Sequence, residues 1–107
     1  MVVSVNFVYS DLINKKKLDK YISRLNRMQT VKGIYVVVVD QNSDMLMAVM
    51  SVSEFYRQLE RGNRKTVIGL AASRDDAFEC VGYICQNAMN IYQGIDKEIL
   101  YKEYHII

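Results

Sequence analysis

The spacing of hydrophobic positions along the chain changes between strand-like and helix-like periods, and it is most distinctive in residues 33–40, GIYVVVVD. Four consecutive valines do not alternate with polar residues, which indicates a strand that is covered on both faces. β-Branched side chains are stiff at χ1 and fit a pleated strand better than a helical turn. We therefore expect the rest of the fold to be arranged around this strand.

The segments before and after it predict a mixture of strands and helices. Residues 2–9 alternate, which predicts a strand with Val3, Val5, Phe7 and Tyr9 on its inward face. A helix is predicted at 11–29, followed after the valine strand by a strand at 45–52 that forms a hairpin with residues 33–40. A short helix then runs from 52 to the glycine at 62, and a strand at 66–72 leads into a long helix that ends near 93. The last predicted element is a helix around 97–103, for which an edge strand is the alternative.

Capping residues mark where the later helices begin and end. Ser51 and Glu54 have the spacing of a capping box, and Ser73 with Asp76 begins the long helix, which Gly94 follows as a stop signal. We expect this long helix to be buried more deeply than the first helix, because four residues widen its apolar stripe on one side: Phe78, Gly82, Cys85 and Met89.

The order of the elements matches the split βαβ arrangement of ferredoxin-like folds. We predict an α+β fold in a single domain over residues 1–107: a two-layer, ferredoxin-like βαββαβ domain with an additional long C-terminal helix. In the 4-1-3-2 strand order of that fold, residues 33–40 form an edge strand with one face open. The long third helix, a second copy of the chain or a different strand order would cover it. We favour a second copy, because exposed apolar edges promote aggregation.

Self-association through the sheet or the C-terminal segment follows from that expectation. The apolar tail, which includes Ile107, is expected to dock on its own domain or on a partner. The residues predicted to form the contact between copies are Tyr35, Val37, Val39, Tyr101, Tyr104 and Ile106.

Charge is unevenly distributed, although the formal net charge is only +2. Residues 11–32 contain seven Lys or Arg and two Asp, whereas residues 33–107 contain seven Lys or Arg and ten acidic residues. In the ferredoxin-like topology the first helix and the loop at 61–65 lie at the same end of the sheet, where they would favour an anion or nucleic acid. A solvated helix face explains the same charges. The candidate residues are Lys15, Lys16, Lys17, Lys20, Arg61, Arg64 and Lys65.

Enzymatic chemistry has little support in this sequence. His105 is the only histidine, so a histidine triad or histidine metal site inside the domain is not expected, and the glycines lack the spacing of phosphate-binding loops. Cys80 and Cys85 fall on one predicted helix and point apart, which favours two free thiols. We expect no catalytic residues, no metal and no cofactor.

The first hypothesis is therefore a small, non-catalytic interaction or regulatory module that forms homodimers. The alternatives are binding of an anion or nucleic acid through the basic residues, and a small-ligand sensor with its ligand near Gly69, where no side chain fills the space. Sheet-based RNA recognition is not favoured, because the third strand, MLMAVMSV, carries no stacking aromatics. Apolar runs are too short to span a membrane, and a cytoplasmic location is expected.

Overall fold

The structure, a computed structural model, describes residues 2–106. Met1 and Ile107 lie outside the described residues, and so does the part of the tail prediction that concerns Ile107. The strands are β1 (Val3–Tyr9), β2 (Tyr35–Asp40), β3 (Ala48–Ser51) and β4 (Lys65–Ala71), and the helices are α1 (Leu18–Asn26), α2 (Val52–Glu60), α3 (Arg74–Tyr92) and α4 (Lys97–Glu103), with one 3₁₀ turn at Lys15–Lys17.

The four strands form one mixed sheet in the order β1-β4-β2-β3. β1 runs parallel to β4, while β2 is antiparallel to both β4 and β3. The fold is α+β as predicted, but the ferredoxin-like order 4-1-3-2 is not the order found. The valine strand β2 is therefore a central strand, and β1 lies at an edge.

Both faces of β2 are covered by helices of the same chain. Val36 and Val38 pack in a core that α1 and α2 close, whereas Val37 and Val39 pack in a second core that α3 and α4 close. All four valines are fully buried. The prediction of a strand covered on both faces is confirmed, and the two-layer expectation is wrong because helices lie on both sides of the sheet. The helices of the chain itself therefore cover β2, whereas a second copy of the chain was expected to do so.

β1 departs most from its predicted alternation. Its register against β4 advances from Val3 opposite Val67 to Val8 opposite Gly69, so extra residues bulge out of the strand between them. The bulge leaves Val5 71% exposed, although the alternation placed it inward. Val3 still reaches the first core, and Val8 packs against the second.

The first helix is shorter than the predicted residues 11–29. The Asn14 side chain accepts a hydrogen bond of 3.0 Å from the backbone N of Lys16 and begins the 3₁₀ turn, and α1 follows only from Leu18. Short polar side chains that bind their own backbone compete with helix formation. At the other end Met28 has a φ of 58°, and this left-handed residue terminates the helix.

The C-terminal segment docks on its own domain. Leu100 and Tyr104 are buried in the second core. The Ser4 hydroxyl donates to the backbone O of Tyr104, and the Asn6 side-chain amide donates to the backbone O of Glu103 at 2.7 Å. The bulged part of β1 therefore provides the polar groups that fix the end of α4, which is the helix predicted for residues 97–103.

Gly69 lies where two strands approach each other closely. A Cβ atom built there would stand 3.1 Å from Cβ of Val37 and 3.5 Å from Cγ2 of Val8. The space beside this glycine is filled by valine side chains, so the small-ligand site expected there is wrong. The missing side chain accommodates Val37, which is fully buried.

Gly69→Ala should destabilise the fold by about 1–3 kcal/mol, because the added methyl group overpacks the contact with Val37. Gly82→Ala is the matched control: a Cβ at Gly82 meets nothing within 4 Å, and alanine should stabilise the helix by about 0.5–1 kcal/mol. Urea unfolding measures both. Equal shifts of the two midpoints would contradict this account of Gly69.

Lys65 forms a buried ion pair with Asp40 across β2 and β4. The Nζ–Oδ2 distance is 2.6 Å, and the side chains are 4% and 18% exposed. Burial raises the pKa of Asp40, but the hydrogen bond and charge of Lys65, the backbone amide of Asn42 and the charge of Lys97 outweigh it, so this pKa lies below its ordinary value. The pair therefore stabilises the fold above the pKa of the unfolded carboxyl group and loses this contribution as pH falls through the lowered value.

Asp40→Asn should cost about 3 kcal/mol at neutral pH, because it leaves the Lys65 ammonium buried without a counter-charge. It should also flatten the loss of stability that begins as pH falls through about 4, the ordinary pKa of an aspartate side chain, and continues toward the lowered pKa of Asp40. Chemical denaturation as a function of pH tests both effects. Arg57→Ala, which removes an exposed ion pair with Glu54, is the control and should change stability by less than about 0.5 kcal/mol. An equal cost for the two variants would refute the role given to Lys65.

Candidate functional site

A cavity of about 650 Å³ forms an open groove between the end of β1 and the first half of α3. A volume of this size is in the range of small-molecule and peptide side-chain sites. The groove is lined by residues from β1, from the loop that follows it and from α3: Phe7, Val8, Tyr9, Ser10, Asp11, Leu12, Asp76, Glu79, Cys80 and Tyr83.

Asp76 holds the two walls of this groove together. It is buried, and its carboxylate accepts hydrogen bonds from the Ser10 hydroxyl at 2.7 Å and from the backbone N of Ala72 at 2.8 Å. The Ser73 side chain caps the same turn by accepting from the Asp76 backbone N at 3.1 Å. Because one carboxylate joins the β1 loop, the end of β4 and the start of α3, the loop at residues 10–12 has a fixed position over the groove.

The groove combines negative charge with aromatic surface. Asp11 and Glu79 are exposed carboxylates on its two walls, and the rings of Tyr9 and Tyr83 are also exposed. Lys15 places its Nζ 6.0 Å from the centroid of the Tyr9 ring, so a cation of the chain itself already lies over this ring, and the ring of Tyr83 is the one left for a ligand. The surface therefore suits a ligand that carries positive charge on an apolar body.

Cys80 lines the groove as an apolar group. Burial, with smaller effects from Asp76 and Glu79, raises the pKa of its thiol to about 11. The reactive form of cysteine is the thiolate, and at neutral pH this thiol is almost entirely protonated. Its Sγ lies 3.8 Å from the backbone O of Leu70, so the thiol points into the protein. Cys80 is thus poorly suited to act as a nucleophile.

The edge of β1 borders the groove. Within residues 2–106, β1 pairs only with β4, and its outer edge has no strand partner. The tail contacts of Ser4 and Asn6 occupy the first half of this edge, while residues 7–9 lie beside the groove. An edge of this kind offers backbone donors and acceptors to an extended peptide.

The predicted basic site is not assembled. Tyr9 pairs with Leu70 near the C-terminal end of β4, so Lys15, Lys16, Lys17 and Lys20 follow β1 at that end of the sheet. The loop at residues 61–64 precedes β4 at its opposite end. The expectation that the two clusters are neighbours is wrong, because it assumed that β1 and β4 are antiparallel. Lys65 is also buried and paired with Asp40, which removes it from the solvent-accessible cations.

A second cavity, of about 270 Å³, lies at the Arg64 end of the sheet. Its polar lining comprises Arg64, His105, Gln41, Thr66 and Ser4. Arg64 is exposed, and no carboxylate lines this cavity. It is the place where a small anion would meet the Arg64 guanidinium group, whereas the Ser4 hydroxyl and the Gln41 amide already donate to Tyr104 and Thr66 of the same chain.

Half of the residues predicted for self-association are inside the protein. Val37, Val39 and Tyr104 are buried in the second core, while Tyr35, Tyr101 and Ile106 are half-buried at its margin. A contact between copies through the first three would require α3 and α4 to move away. The sheet faces are therefore unsuited to the contact predicted from the sequence.

The groove residues carry only faint signals in the sequence. The sequence predicts Tyr9 on a strand face and Asp76 in the first turn of the long helix, where its backbone N does donate to the Ser73 side chain. The additional bond from Ser10 to Asp76 joins positions 66 residues apart and depends on β1 lying next to β4. The polarity change at Tyr9–Ser10–Asp11, directly after an alternating strand, is the one local feature that marks this site.

Comparisons with protein-family models, curated proteins and solved structures found no match to this chain. Among the described residues, no helix combines the length and the apolar character needed to cross a membrane. Within the same residues, no group of three or more His, Cys, Asp or Glu is placed to hold a metal ion.

Proposed function

We propose that this chain is a small, non-catalytic interaction module that binds a basic, extended segment of a partner protein along β1 and in the β1–α3 groove. The observation that carries the proposal is the groove itself, with Asp11 and Glu79 on opposite walls and aromatic rings between them. Positive charge on the partner complements the carboxylates, and its apolar side chains fill the space beside Val8 and Tyr83.

The free half of the β1 edge supports an extended conformation for the bound segment. Strand addition supplies backbone hydrogen bonds, and the alternation of side chains directs every second residue to one face. A segment in which apolar and basic residues alternate would place one type in the groove and the other along its rim. Asp76 needs no rearrangement for this, since it fixes the loop at residues 10–12 in the unbound chain.

Peptides of alternating valine and arginine, and of alternating valine and glutamate, test this proposal. The arginine peptide should shift amide resonances of residues 7–12 and 76–83, and the glutamate peptide should not bind. The double variant Asp11→Asn, Glu79→Gln should weaken binding of the arginine peptide about tenfold, since exposed charges contribute up to about 1 kcal/mol each.

Glu98→Gln is the matched control, because Glu98 is an exposed carboxylate of α4 that does not line the groove. It should leave the affinity for the arginine peptide unchanged. Equal losses in the control and the groove variant would mean that net charge alone attracts the peptide, and equal binding of both peptides would reject the site.

Anion binding is the second candidate, and the Arg64 cavity supports it better than the basic first helix does. Arg64 is exposed there among hydroxyl and amide groups, whereas Lys15, Lys16 and Lys17 line neither of the two cavities described above. Nucleic acid remains a less favoured ligand, since the cations predicted to act together lie at two ends of the sheet.

Titration with inorganic phosphate at low salt distinguishes the two basic clusters. If the cavity binds an anion, Arg64→Ala should abolish the shifts of the amide resonances of Thr66 and His105, while Lys16→Ala should leave them unchanged. Screening should remove the effect as ionic strength rises. Phosphate shifts centred on residues 15–17 would reject the cavity in favour of the first helix.

A cytoplasmic location and a homodimeric state remain part of the proposed function. The two free thiols are consistent with a reducing compartment. The surface through which two copies would meet has to differ from the buried residues predicted for it, since Val37 and Val39 face the chain's own α3 and α4.

A further inference from the structure

One side of α3 exposes a continuous apolar stripe. Phe78, Gly82, Cys85 and Met89 follow one another at spacings of four, three and four residues, which is the spacing of a helix–helix seam. Phe78 is 53% exposed and Met89 48% exposed, Gly82 is exposed, and Cys85 is half-buried. The long helix is more deeply buried than α1, as predicted, because five of its residues are buried and only Leu25 of α1 is, but Phe78 and Met89 are not among those five. The helix packs on the sheet through other residues, among them Ala77 and Ile84.

Gly82 lies near the middle of the stripe and leaves room for another helix. A Cβ atom there would have no neighbour within 4 Å, so no packing requirement within the chain demands glycine at this position. Glycine in the interior of a helix lowers its stability relative to alanine. In a seam, by contrast, a residue without a side chain lets the backbone of a second helix approach closely.

Charged side chains flank both ends of the stripe. At its N-terminal end Arg74 and Asp75 are exposed, and the Arg74 guanidinium lies 5.9 Å from the centroid of the Phe78 ring. At its C-terminal end Lys102 is exposed and places its Nζ 5.8 Å from the centroid of the Tyr92 ring. Among residues 2–106, neither Asp75 nor Lys102 has an ion-pair partner within 4 Å. Two such surfaces turned end to end bring Asp75 of one copy to Lys102 of the other, while Arg74 stays on the Phe78 ring of its own copy.

We propose that two copies of this chain pair through this stripe, with their α3 helices antiparallel about a two-fold axis between Gly82 and Cys85. In this register Phe78 faces Met89 of the other copy, and Gly82 faces Cys85. Asp75 then faces Tyr92, over which Lys102 lies. A thioether against an aromatic ring and two symmetric carboxylate–ammonium pairs make the contact favourable.

This pairing is independent of the peptide groove. The stripe shares no residue with the groove lining, which uses Asp76, Glu79, Cys80 and Tyr83 of the same helix. The seam extends over about 16 Å from Phe78 to Met89. A contact of this length is in the class of small interfaces, so we expect dissociation in the micromolar range, at about 10–100 µM.

Sedimentation equilibrium at concentrations up to about 0.5 mM tests the pairing. Wild-type protein should form dimers, and Gly82→Arg should be monomeric over the whole range. Gly82→Arg should fold normally, because the added side chain enters open space, and circular dichroism checks this. Gln86→Arg is the matched control: Gln86 is an exposed polar residue one turn further along α3 and lies outside the stripe, so its dimer should persist.

Charge reversal tests the antiparallel register. Asp75→Lys and Lys102→Glu should each raise the dissociation constant about fivefold, and the double variant should return it to within about twofold of the wild-type value. A monomeric wild-type protein, a dimer that persists in Gly82→Arg, or a double variant weaker than either single variant would overturn the proposal. A wild-type monomer would leave the peptide-binding proposal intact, since that test uses different residues.

Discussion

The burial of four consecutive valines on both faces of β2 is the constraint on which the structure depends. A central strand with apolar side chains on both faces requires two cores, and residues before and after β2 divide into two pairs of helices that form them. Val37 lies closely against β4. Glycine, here Gly69, is the only residue type that fits opposite Val37 without displacing it. The sheet order, the bulged edge strand and the position of α3 all follow from keeping this strand in the interior.

Local signals in the sequence were sufficient for the elements but not for their arrangement. The valine run, the Ser51 and Ser73 caps and the helix at residues 97–103 lie where they were predicted, because each depends on neighbours within a few residues. Strand order depends on which helix packs on which face, and hydrophobic spacing is the same for a central strand and for an edge strand covered by a partner. The prediction that β2 is covered on both faces is confirmed, while the prediction that a second copy covers it is wrong.

The candidate sites show the same limit. Pairing of β1 with β4 brings Ser10 to Asp76 and so creates the groove, and it also separates Lys15–Lys17 from the loop before β4. The parallel pairing of β1 with β4 thus forms the groove and places the two basic clusters at opposite ends of the sheet. Periodicity identified α3 as an apolar helix, but it could not indicate which of its apolar residues the sheet would cover and that Phe78 and Met89 would stay exposed. We propose the exposed residues of this stripe as the surface through which two copies make contact.

The contacts between Ser4, Asn6 and the end of α4 join parts of the chain that are nearly one hundred residues apart in sequence. The edge strand made from the first residues therefore remains incomplete while the chain is being synthesised, until residues 103–104 have emerged from the ribosome. During that interval the first core can form from β1 to β4 with α1 and α2, but the second core lacks Leu100 and Tyr104. Folding of this domain during synthesis thus includes a late docking step, in which α4 closes over β1.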